Sequence, residues 1–174
     1  MGTGSDSSLD RVAAGGLVVG AVFGLAGTFA GSWHLQASLW AIDSVALVIA
    51  TSLLTLRYSR AGAAVVAAGF LVFAIGEAVL LSGTAAGPAA SVPAFAAGSA
   101  LWAAALALIS APRQFPAWLR ALGGVAACLF AVTAGRIYAG EPLLPTSTPL
   151  PFFAYPFFVG TLLGWAWILV RSPA

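Results

Sequence analysis

Six uninterrupted apolar runs constrain this chain more than any motif does: Val12 to Gly31, Leu39 to Leu56, Gly62 to Leu81, Val92 to Ser110, Ala117 to Ala139, and Phe152 to Val170. A helix that crosses a bilayer needs about 20 predominantly apolar residues, and each run is of that order. Strands of outer-membrane barrels alternate apolar and polar residues over about ten positions, a pattern absent from these runs. The sequence therefore predicts an all-α, polytopic transmembrane bundle of six spans. It divides into an N-terminal tail (1–11), one six-helix domain (12–170) and a short C-terminal tail (171–174). Only 7% of residues are charged and the mean hydropathy is +1.01, against roughly a quarter charged in soluble domains. Six spans in 174 residues leave no room for a soluble catalytic domain. A nucleotide-binding βαβ unit is excluded with it, and so is nucleic acid as a partner. The lipid bilayer is the first partner expected.

The arginines set the expected direction, because cytoplasmic loops carry the excess of cationic residues. The chain has no lysine. With both termini cytoplasmic, Arg11, Arg57, Arg60, Arg113, Arg120 and Arg171 fall inside, and only Arg136 falls outside. The expected location is a multi-pass position in a cell inner (plasma) membrane. The first span is expected to be retained, since its apolar stretch exceeds that of a cleaved leader and Asp6 and Asp10 precede it. The Gly-, Ser- and Asp-rich segment before it lacks apolar residues and is expected to be mobile.

Helices in lipid gain no hydrophobic drive toward one another, so close backbone contact must hold them. Gly16, Gly20 and Gly24 recur every fourth residue in the first span, and Gly62, Gly69, Gly76 and Gly83 every seventh in the third. Both helices are expected in the bundle interior. Glycine-rich faces would also suit a homo-oligomer or a membrane partner. Pro156 near the start of span six predicts an irregular helix start, and the proline-rich segment from Glu141 to Pro151 reads as an external cap.

An ionisable residue inside a span costs about 2.5 to 3.5 kcal/mol on insertion scales and by default faces the interior with a partner. Asp43, Glu77 and Arg136 qualify. At 1.5 Å per residue they lie ~6 Å, ~9 Å and ~6 Å from the outer ends of their runs, so all three belong to the external half. His34, Gln36, Tyr138 and Glu141 fall near the same level. The expected site is an outward-facing polar pocket lined by Asp43, Glu77 and Arg136, with His34, Gln36, Tyr138 and Glu141 at its rim. Arg136 is expected to pair with Glu77 or Asp43 and to contact an anion. A polar line of Ser44, Thr51 and Thr55 on span two could serve a conduit or simply bond to its own helix.

The function expected is binding or transport of a small ion or metabolite. Two alternatives use the same residues: an enzyme acting on a lipid head group, with His34 as base, or a non-catalytic membrane subunit. No cofactor is implied. A metal site at His34, Asp43, Glu77 and Glu141 has only one nitrogen ligand and no recognisable spacing, so none is assigned. Cys128 is expected to be buried and inert.

Overall fold

The computed structural model describes residues 3–171. Among them it is all helical, with six long helices: α1 (Thr3–Thr28), α2 (Trp33–Arg60), α3 (Ala64–Ala85), α4 (Pro88–Ser110), α5 (Ala117–Tyr138) and α6 (Tyr155–Arg171). All six are long and apolar enough to cross a membrane, the last together with the 3₁₀ turn Phe152–Ala154 that precedes it. That turn is the irregular start expected from Pro156. Each helix packs on its neighbour in sequence, and α6 returns to α1, which closes the bundle.

Three boundaries differ from expectation, each for a local reason. Helix α2 begins at Trp33, six residues before the apolar run, because Ser32 caps it: the Leu35 N–H donates to Ser32 Oγ at 3.4 Å. Polar His34 and Gln36 sit in its first turn, where a helix tolerates them. Helix α1 begins at Thr3, so the segment expected to be mobile is helical through its described part. Asp10 is held there by an ion pair with Arg57 near the end of α2, a partner that the tail's own composition does not reveal. Gly62 lies outside the α3 seam; its φ of +73° makes it the left-handed residue that turns α2 into α3. Residues 172–174 of the expected C-terminal tail lie outside the described residues.

The glycine faces are used within the chain. A Cβ on Gly16 would stand 2.8 Å from the Ala46 carbonyl oxygen and 2.9 Å from Ala50 Cβ, so α1 and α2 touch backbone to backbone. Gly69 and Gly76 do the same for α3 against α4, meeting Ile109 and Ala105, then Leu101 and Trp102. Neither helix is wholly interior. Val65, Leu71 and Ile75 of α3 and Val12, Val18, Val19, Val22 and Leu25 of α1 point outward, because the glycines of each helix serve one face only.

Aromatic rings fill the centre. Phe158 of α6 stacks on Phe73 of α3 at 5.6 Å and meets Trp102 of α4 at 4.7 Å, while Phe130 of α5 stands edge-on to Trp102 at 5.0 Å. Further toward the Arg57 end, Trp165 contacts Phe70, and Tyr58 stacks on Phe70 at 5.5 Å. The outer surface is apolar as well, with Ile42, Val45 and Ile49 on α2 and Leu71 and Ile75 on α3 all exposed. Soluble monomers rarely carry contiguous patches of this kind; a bilayer accommodates them.

The α1–α2 contact yields a paired test. Gly16→Val should lower stability by about 1 to 3 kcal/mol through overpacking. Gly15→Ala, one position away with nothing within 4 Å of its added methyl, should cost nothing. Thermal unfolding of the purified variants in one detergent measures both.

Candidate functional site

A cavity of about 50 Å³ lies between α1, α2, α3, α4 and α6, under the loop that follows α5. Its polar wall is Asp43 and Ser44 from α2 and Glu77 from α3; Pro145 of the loop lines its roof. Because α2 starts early, Asp43 is ten residues into its helix, or ~15 Å along the axis, and Glu77 is ~12 Å from the Ala85 end. Both are deeper than the apolar runs alone imply.

Asp43 is 8% exposed and Glu77 1%. Glycines make room for the first: a Cβ on Gly24 would come within 2.8 Å of Asp43 Oδ2, and one on Gly20 within 3.1 Å of Oδ1. The four-residue glycine spacing on α1 thus forms the cradle of the Asp43 carboxylate. The Trp40 indole donates to the Gly24 carbonyl at 3.3 Å and closes that side. Ser44 Oγ donates to Glu77 Oε2 at 3.0 Å. Asp43 Oδ1 and Glu77 Oε1 are buried with no hydrogen-bond partner, as is Trp102 Nε1, which lies beside Glu77 without reaching hydrogen-bond geometry. The two carboxylates are near enough to act on each other electrostatically. Among the described residues no arginine lines the cavity.

Arg136 pairs with neither Asp43 nor Glu77. Its Nε donates to Glu141 Oε1 at 2.9 Å and its Nη2 to Glu141 Oε2 at 2.5 Å, a bidentate contact with both side chains about two-fifths exposed. The reason is local. Gly140 takes a φ of +103°, the chain folds back, and the Glu141 N–H donates to the Arg136 carbonyl at 3.1 Å. A helix end of this form puts residue i+5 beside residue i, so the guanidinium finds its carboxylate before it can reach the bundle interior. A glycine four residues after Arg136, followed by a glutamate, is the sequence signal for it.

Of the seven residues expected at the site, Asp43 and Glu77 line the cavity and the other five do not. His34 and Tyr138 are exposed and Gln36 is half-buried. The aromatic that faces the cavity is Tyr155, with Trp40, Phe95, Trp102 and Phe158; these were masked by the general abundance of rings. In the polar line on α2, Thr51 donates to the Leu47 carbonyl and Thr55 to the Thr51 carbonyl, while Ser44 turns to Glu77 of α3. Cys128 is exposed on the outward side of α5, not buried. Among the described residues no group of three or more His, Cys, Asp or Glu side chains could hold a metal ion.

Comparison with known proteins gives no match to a family model, a curated protein or a solved structure.

The Arg136 guanidinium holds the Glu141 carboxyl below its ordinary value of 4.5 through hydrogen bonding and charge. A depressed native value means that the pair is intact above the ordinary range and is lost only as pH falls through the lowered one. Carboxyl-carbon NMR should show Glu141 titrating below 4.5, and returning to the ordinary range in Arg136→Ala. That variant should fold and should leave the cavity unaltered.

Proposed function

We propose that the chain is a multi-pass inner-membrane protein, both termini cytoplasmic, whose outward-opening pocket binds a small cation in exchange for protons. The observation that carries this reading is the pair of buried carboxylates, each with an unpartnered oxygen, on a cavity wall that has no cationic side chain. Two acids in a low-dielectric site need compensating positive charge, and here only a proton or a bound cation can supply it. The cavity exceeds the ~10 to 15 Å³ required per water, so an occupant fits. An anion contact by Arg136 is not part of this reading, since that guanidinium is spent on Glu141.

The direction of insertion rests on the arginines. Arg57, Arg60, Arg113, Arg120 and Arg171 cluster at one end of the bundle in this topology, and the exception, Arg136, is neutralised locally by Glu141. Arg120 also donates to the Ser110 and Ala111 carbonyls, which fixes it at the α4–α5 turn. A cytoplasm-active reporter fused after Arg113 should be active and one after Gly87 inactive; the reverse pattern overturns the orientation.

Transport is the use this site suits best: intramembrane acids that exchange a proton for a cation are the usual element of coupling. Proteoliposomes with an internal pH dye should release protons when an external cation is added. Glu77→Gln keeps the side-chain volume and removes the charge, and should abolish that release while the protein still folds. Unaltered release from a folded Glu77→Gln protein would refute the assignment.

A further inference from the structure

Resting on the reading of the pocket as a cation site, we infer that its ligand is a small primary or secondary alkylammonium ion rather than a metal cation or a quaternary ammonium. Three features of the wall decide this.

The first is the shortage of oxygen donors within reach of one another. Hard metal ions take six or more oxygens. The Asp43 and Glu77 carboxylates with the Ser44 and Tyr155 hydroxyls reach six only if both carboxylates bind through both oxygens, and Thr84 is seven residues from Glu77 on α3, or ~10 Å along the axis. The second is what replaces those donors. Trp40, Phe95, Trp102, Tyr155 and Phe158 supply aromatic surface, which attracts an ammonium through the ring quadrupole and also accepts its alkyl substituent.

The third is the pair of orphan acceptors. Asp43 Oδ1 and Glu77 Oε1 come from different helices, and each is buried without a hydrogen-bond partner, the Trp102 indole beside Glu77 falling short of bonding geometry. A buried acceptor left unmade costs free energy, so the ligand that satisfies both brings at least two N–H groups. A primary or secondary ammonium has two or three; a quaternary ammonium has none. The volume of about 50 Å³ sets the size. At ~10 to 15 Å³ per water-sized group it admits about three to five of them, the range from ethylammonium to butylammonium.

The test is calorimetric titration of the purified full-length protein in detergent with propylammonium, tetramethylammonium and sodium chloride in parallel. Propylammonium should bind saturably, at least about tenfold more tightly than the other two cations, a margin within reach of cation–π and charge-assisted contacts. Glu77→Gln should weaken it by at least about tenfold, with circular dichroism verifying the fold; the three-cation comparison on the unaltered chain does not depend on any variant. Equal binding of tetramethylammonium overturns the requirement for N–H donors. Saturable, Glu77-dependent sodium binding without propylammonium binding overturns the ligand class but leaves the cation site standing. No binding of any cation to the folded protein overturns both this inference and the function on which it rests.

Discussion

Helices in hydrocarbon are held by contact, not by exclusion from water, and backbone approach at glycine is the interaction on which this bundle depends. On α1 the same repeat serves two purposes. Gly16 brings α1 against the Ala46 carbonyl of α2, and Gly20 and Gly24 then leave space for the Asp43 carboxylate between the two backbones. The polar wall of the cavity is therefore a by-product of packing, since a methyl on Gly24 would collide with the Asp43 carboxylate and one on Gly20 would collide with Leu47 and crowd that carboxylate. On the opposite side, Gly69 and Gly76 draw α4 close enough to α3 to bring Trp102 beside Glu77.

The fold was legible because its signal is long and redundant. Six apolar runs survive errors of several residues at either end, and the irregular start of α6 follows from the covalent geometry of Pro156. The ends were less legible, since they depend on single side chains: Ser32 extends α2 beyond its apolar part, and Arg57 anchors the helical N-terminal segment through Asp10. Both effects are invisible to hydropathy.

The site was half legible for a related reason. Depth along a span is a one-dimensional quantity, and it correctly brought Asp43 and Glu77 together. It cannot tell which way a side chain faces or whether a nearer partner exists. Arg136 lies at a suitable level, but the reversal at Gly140 delivers Glu141 to it at a separation of five residues. Tyr155 and Trp102 were hidden by the opposite problem, too many rings of equal standing. Only tertiary packing shows which five border the cavity, and two of them, Trp102 and Phe158, belong to the core as well.

That core also closes the cavity toward the Arg57 end. The rings of Phe73, Trp102, Phe130 and Phe158 interlock at centroid separations of 4.7 to 6.2 Å, and they stand between the acidic pocket and the Arg57 end. Close-packed interiors do not widen gradually; they exchange one arrangement for another. Opening a route past these rings would require several side chains on four helices to change rotamer together. A passage between the cavity and the Arg57 end would thus open in one concerted step or not at all.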